Sequence, residues 1–244
     1  MKSIVAVILF QFSFTYVDCV AQNTEWPDMY LTNYTISKKT NDIGYVKLKE
    51  GKIKSITIEG ENRAMFKVSK EQKLSIQPGA VLEGTWLDVT LRVKTASGQM
   101  TRVFRIVNDN FIRNKVIAHR GAWKNTGAPE NSIEAFNHAV RLGCEGSEFD
   151  VHMSADSLPV VNHDPAIQGV SIAKSNADKL LQIKLSNGET MPTLEEYLTA
   201  GLEQNKTKLI LELKPAELGK EHSLALTRKA VALVESLHAQ AWVD

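Results

Sequence analysis

Cysteine is nearly missing from this 244-residue chain, which has only Cys19 and Cys144. Two thiols can build neither the dense disulfide framework of a small secreted domain nor a four-thiolate zinc site. Net charge is almost missing too, at 29 Lys+Arg against 28 Asp+Glu. That balance excludes nucleic-acid binding through an overall basic field. After Ala21 no apolar run approaches the roughly 18 residues of a membrane-spanning helix, so no stable span is expected there. With 14 Gly and 7 Pro, the chain is neither collagen-like nor a linker. What remains is a globular protein, 43% hydrophobic, long enough for one large or two modest domains.

Histidine is missing from the whole first part. Residues 22–115 carry 16 basic and 10 acidic side chains and no His, whereas 116–244 carry 12 and 17 and all six His. The two stretches are differently made, and neither includes the first 21 residues. There, Lys2 precedes an apolar run from Ile4 to Val17 that has the length of a signal-peptide core. Cys19-Val20-Ala21 puts small residues at −3 and −1, which predicts cleavage before Gln22 and export to the periplasm or medium. A lipoprotein acylated at Cys19 is the rival reading, but Tyr16-Val17-Asp18 lacks the small residues expected before such a cysteine. Cleavage leaves Cys144 as the single thiol, read as a small core residue beside Gly143.

Residues 22–107 read as an all-β, sandwich-like module. Leu87-Asp88-Val89-Thr90-Leu91-Arg92-Val93-Lys94 puts four aliphatic side chains on one face and four polar ones on the other. Tyr45–Lys49, Ile53–Ile58, Ala64–Val68, Lys73–Gln77 and Thr101–Val107 read likewise, separated by turn signals such as Gly60-Glu61-Asn62 and Ser97-Gly98. The order of Met65–Val68, Leu74–Ile76 and Thr90–Ala96 loosely resembles cadherin-like bacterial surface modules. Trp26 and Trp86 offer surfaces for stacking on sugar, with core or interface packing the favoured reading, and the module reads as a spacer or positioning element without catalytic residues. Residues 108–115 read as a linker.

Chemistry begins at Val116. Val116-Ile117-Ala118 reads as a short buried strand ending in His119-Arg120-Gly121, which is how an α/β barrel sets titratable groups at the C-terminal end of a strand. Asn131 is expected to cap the next helix in a box with Glu134. Ile133, Phe136 and Val140 supply its apolar face, Gly143 its end, and His138 is expected to face solvent. In Gly146–His152, Glu148, Asp150 and His152 share one strand face. Two adjacent carboxylates among apolar neighbours repel unless a cation or proton sits between them, which favours a hard-metal site over a solvated strand. Pro159–Val161 returns as a strand leading to His163-Asp164, and Thr193 caps a second helix with Glu196. On Leu209–Pro215, Glu212 and Lys214 share a face. They form a structural ion pair or, as the strand-end position favours, a third oxygen ligand and an anion clamp. A third helix buries Leu226, Ala230, Leu233, Val234 and Leu237.

Taken in order, His119-Arg120-Gly121, Pro129-Glu130-Asn131-Ser132, Glu148-Phe149-Asp150-Val151, Pro159–Asp164, Pro192-Thr193-Leu194 and Glu212-Leu213-Lys214 closely resemble the glycerophosphodiester phosphodiesterase family. The resemblance implies a TIM barrel that cleaves glycerophosphodiesters into glycerol 3-phosphate and an alcohol, with one divalent cation, Ca²⁺ or Mg²⁺. It further implies that Glu148, Asp150 and Glu212 hold the metal and that His119 and His163 act as acid and base. By the same resemblance Arg120 and Lys214 bind phosphate oxygens, and Glu130 supports Arg120 or the metal shell. It also implies a route in which the neighbouring glycerol hydroxyl attacks phosphorus and water opens the cyclic phosphate.

A full barrel takes about 250 residues, and 116–244 supplies 129. The fold expected is therefore α/β, a C-terminally incomplete TIM barrel of about three to four βα units behind an all-β module. The partner expected is a small glycerophosphodiester and not nucleic acid; the oligomeric state is not legible. Two other functions stay open: a phospholipase-type phosphodiesterase acting on lysophospholipid headgroups, and an inactive, truncated surface or binding protein.

Overall fold

The computed structural model describes residues 28–36, 39–80 and 82–244. The leader read at 1–21, with Cys19, and also Trp26 lie outside the described residues. Among the described residues, the first part is built of one helical turn and strands. In chain order these are β1 (Met29–Leu31), β2 (Thr35–Ile36), β3 (Asp42–Leu48), β4 (Ser55–Glu59), β5 (Phe66–Val68), β6 (Lys73–Ile76), β7 (Trp86–Lys94) and β8 (Gln99–Asn108). They make two four-stranded sheets, β1-β3-β6-β5 and β2-β8-β7-β4. Val89, Leu91 and Val93 point inward from β7 and share one core with Val46 and Leu74 of the other sheet. The period-two alternation seen in the sequence thus becomes the buried face of a sheet.

Three details differ from the sequence reading. The strand expected from Ala64 starts only at Phe66, because Glu61–Met65 turn as a 3-10 helix whose Asn62 amide donates to the Asp88 carbonyl. Trp86 is not packed away. It is 41% exposed, and the Arg105 guanidinium lies 3.6 Å over its ring. Residues 108–115 are no free linker either. Phe111 is buried in the core of the second part, Ile112 N–H donates to the Lys206 carbonyl at 2.8 Å, and Asn114 Nδ2 donates to the Gly143 carbonyl at 2.9 Å. Arg102 of β8 adds hydrogen bonds to the Met29 carbonyl and the Glu235 carboxylate.

The second part alternates strands and helices: β9 (Ile117–Ala118), α1 (Ile133–Leu142), β10 (Gly146–Met153), β11 (Pro159–Val161), β12 (Ala166–Ile167), β13 (Val170–Ser171), α2 (Ala177–Leu180), α3 (Leu194–Leu202), β14 (Lys208–Leu213) and α4 (Lys220–Ser236). β10 is its spine. It pairs in parallel with β9 and β14 and antiparallel with β11, and every one of its residues is buried. One face of β10 packs on the helices, where Phe149 stacks on Tyr197 of α3 with ring centroids 4.2 Å apart. The other face carries Glu148, Asp150 and His152. Beyond α4, Val243 bridges in parallel to Leu209, so the chain runs beside β14 again.

The helix signals hold with one exchange. α3 has the expected capping box of Thr193 and Glu196. At α1 the cap is Ser132, whose hydroxyl accepts from Ala135 N–H, and not Asn131. His138 does not face solvent freely; it is four-fifths buried and 3.2 Å from Glu134. The buried strand expected at Val116–Ala118 is an exposed edge: Val116 is 51% and Ile117 45% exposed. β9 pairs with β10 over only two residue pairs, and an apolar triplet reads the same at an edge as in the centre of a sheet. Cys144 is buried and free, its thiol pushed up by burial. Among the described residues no helix is long and apolar enough to cross a membrane.

Candidate active site

Parallel pairing fixes which side chains meet. Asp150 of β10 lies opposite Glu212 of β14, and Glu148 stands two residues back on the same face. Oxygen atoms of Glu148, Asp150 and Glu212 come within 4.8 Å of one another. The sequence-predicted trio therefore converges. Its members differ in environment: Asp150 is fully buried, whereas half of the Glu212 side chain is open. Glu148 Oε1 is buried without a hydrogen-bond partner. Burial pushes the Glu148 carboxyl up, and the Asp150 and Glu212 charges push the same way against the Arg120 N–H and His119. Burial also raises Asp150, but hydrogen bonds from Lys214 and Asn131 outweigh it and hold that carboxyl below its usual range.

The cations surround this trio. Lys214 Nζ lies 2.7 Å from Asp150 Oδ1 and 2.6 Å from Glu212 Oε1. Burial lowers the Lys214 ammonium, yet its two carboxylate partners prevail and raise it. Arg120 reaches both Glu130 oxygens through Nη1, at 3.3 and 3.1 Å, while its Nε is 3.9 Å from Asp150 Oδ2. Glu130 thus meets Arg120 directly, one of the two roles expected of it.

The histidines line the rim. His119 follows β9 directly, is 70% exposed, and has Nε2 3.8 Å from Glu148 Oε2. His163 lies just past β11, with Nδ1 2.8 Å from Asp164 Oδ1. His152 was given no site role in the sequence, yet its Nε2 meets the His163 carbonyl at 3.0 Å. Asn131 was missed as well. Its amide bonds Asp150 twice, once with the side chain and once with the backbone. The available signal was the pair Asn131-Ser132: one helix needs one cap, so one of two cap-capable neighbours is free for other work.

A cavity of about 540 Å³ opens beside His119, Arg120, Trp123 and Lys124. Contacts to the first part lie elsewhere. Gly143 and Lys206 precede the N-terminal ends of β10 and β14 and anchor residues 108–115.

Comparison with known proteins finds relatives along the second part of the chain. A glycerophosphodiester phosphodiesterase of Bacillus altitudinis is 30% identical over 112 residues, 41% of this chain and 45% of the relative. Another, from Caldanaerobacter subterraneus, is 50% identical over 52 residues, 21% of each. The crystal structure of a glycerophosphodiester phosphodiesterase from Parabacteroides distasonis superposes with a TM-score of 0.52 at 42% identity, covering 56% of both chains. The chain thus spans about half, or less, of the length of the relatives it matches. The model of the glycerophosphoryl diester phosphodiesterase family matches residues 119–242. That stretch takes in every candidate site residue and half of the chain, and the chain belongs to this family.

Proposed function

We propose that this protein hydrolyses glycerophosphodiesters to glycerol 3-phosphate and an alcohol, using one divalent cation, Ca²⁺ or Mg²⁺. In this reading residues 116–244 are the first three to four βα units of a TIM barrel, and the β part is its spacer. The leader at 1–21 sends the protein to the periplasm or outside the cell. The observation that carries the reading is the meeting of Glu148, Asp150 and Glu212 around a buried, unpartnered Glu148 oxygen.

Three carboxylates and an unsatisfied oxygen fit a hard, oxygen-seeking cation. Bound there, such an ion supplies positive charge against the phosphate oxygens. The chain's own residues supply the rest. Arg120 and Lys214 hold the anionic phosphate, the former with its guanidinium plane set by Glu130. His163 has Nδ1 engaged by Asp164, which leaves Nε2 to take or give a proton. His119, with Nε2 3.8 Å from Glu148 Oε2, is its partner. One imidazole accepts the proton of the attacking hydroxyl and the other protonates the leaving alkoxide.

The test is release of glycerol 3-phosphate from glycerophosphocholine with Ca²⁺ or Mg²⁺ and with EDTA. Release that stops in EDTA and falls about 100-fold or more in His119→Ala and in His163→Ala supports the proposal. Release indifferent to EDTA removes the cation, and substantial turnover in both variants removes the acid–base assignment.

A further inference from the structure

Two non-glycine residues beside the carboxylates hold a left-handed backbone: Arg120, with φ 59°, and Asn131, with φ 58°. Apart from glycine, Asn and Asp tolerate that conformation best. The two are tied together, since Asn131 N–H donates to the Arg120 carbonyl at 3.0 Å. Each then hands a donor to a different carboxylate. Arg120 N–H donates to Glu148 Oε2 at 2.8 Å. Asn131 Nδ2 donates to Asp150 Oδ2 at 2.8 Å, and Asn131 Oδ1 accepts the Asp150 N–H at 3.0 Å.

Asn131 is 2% exposed, and Ser132 caps α1, so the Asn131 side chain has no helix to serve. Its amide is a two-point lock: one end grips the Asp150 backbone, the other fixes rotation of the Asp150 carboxylate. With Oδ2 taken in this way, Oδ1 is turned to the Lys214 ammonium, 2.7 Å away. A carboxylate free to rotate must give up that freedom when a cation binds, whereas one already held does not.

We propose that Asn131 is a positioning residue for the Glu148–Asp150–Glu212 cluster, setting its affinity for a divalent cation by holding Asp150 in one orientation. This rests on the reading of those three carboxylates as a cation site. Asn131→Gly keeps the left-handed backbone accessible and removes the amide. Asn131→Asp keeps size, backbone tolerance and the acceptor for Asp150 N–H, but sets an oxygen where Nδ2 donated.

The experiment is calorimetric titration of the whole chain with Ca²⁺ and with Mg²⁺, beside thermal melts in EDTA. Affinity about tenfold or more weaker in a variant that still melts cooperatively is the expected result. Wild-type affinity in either folded variant overturns the inference. So does loss of cooperative melting in both, which makes Asn131 a scaffold residue only. A wild-type chain that binds neither ion removes the cation-site reading itself, and this inference with it.

Discussion

The ammonium of Lys214 lies 2.7 Å from an oxygen of Asp150, a side chain with no exposure to solvent. A positive charge thus sits against the carboxylate cluster from within the chain. It relieves the repulsion among Glu148, Asp150 and Glu212, and it competes for the same oxygens with any divalent ion. Replacing it leaves buried carboxylates uncompensated, a loss of about 3 kcal/mol or more. Lys214→Met is therefore expected to melt earlier than wild type in EDTA and to bind Ca²⁺ several-fold more tightly, while turnover falls at least about tenfold as the proposed phosphate contact goes. Calorimetry and melting together check this. Weaker Ca²⁺ binding in the variant would show that the ammonium assists the ion and does not compete with it.

Burial and its like-charged neighbours raise the Glu148 carboxyl above the ordinary Glu value. Between that value and the raised one, the folded chain holds more protons here than the unfolded chain does. Stability then falls as pH rises through this window. Asp150 is shifted the other way, so its contribution is lost only when pH drops through its own lowered value. In EDTA the melting temperature is expected to decline as pH climbs above the ordinary Glu range. Glu148→Gln should flatten that slope, and saturating Ca²⁺ should reverse it by taking the place of the proton. An unchanged slope in Glu148→Gln would place the titration on another group.

The chemistry was more legible in the sequence than its support. Glu148 and Asp150 could be assigned to one face because alternation on a strand is a strict rule; Glu212 followed from its strand-end position and the family resemblance, and parallel pairing brings it opposite Asp150. Nothing so strict separates Asn131 from Ser132 as the cap of α1, since both side chains cap well. The edge position of β9 was hidden because Val116-Ile117-Ala118 carries no sign of which neighbours it has. Phe111 was read as part of a linker because a partner such as Lys208, whose ammonium lies 4.7 Å from its ring centroid, is remote in sequence. β1, β2, β12, β13 and α2 span two to four residues each, too few for a period to register.

Phe111 gives that junction a measurable weight. It belongs to the same core as Val107 on one side and Phe149 and Trp242 on the other. Cutting a buried phenylalanine to alanine costs about 3 kcal/mol or more. Phe111→Ala is expected to lower the stability of the α/β part by that order, and proteolysis should then cut within residues 108–115. Denaturant unfolding followed at Trp242, which is fully buried, reports the change. An unshifted midpoint would mean that the two parts hold together without this contact.

Gly121 follows His119-Arg120 and passes α1 at close quarters. Its φ is +78°, and a Cβ there would stand 2.6 Å from the Ala135 Cβ and 2.8 Å from the Ala135 carbonyl carbon. The neighbour is helix backbone and cannot yield cheaply. Gly121 N–H also bonds the Glu148 carbonyl at 3.1 Å, so a shift reaches the residues between. Gly127 is the matched control, with φ +81° and nothing within 4 Å of its added Cβ. Gly127→Ala should cost only the backbone term, about 1 kcal/mol. Gly121→Ala should cost that plus the collision, and any folded fraction should bind Ca²⁺ more weakly as Arg120 N–H leaves Glu148. Melting curves and calcium titrations of the two variants separate steric from conformational cost. Equal destabilisation by both would mean that α1 yields at Ala135 and that the close approach does not hold the loop.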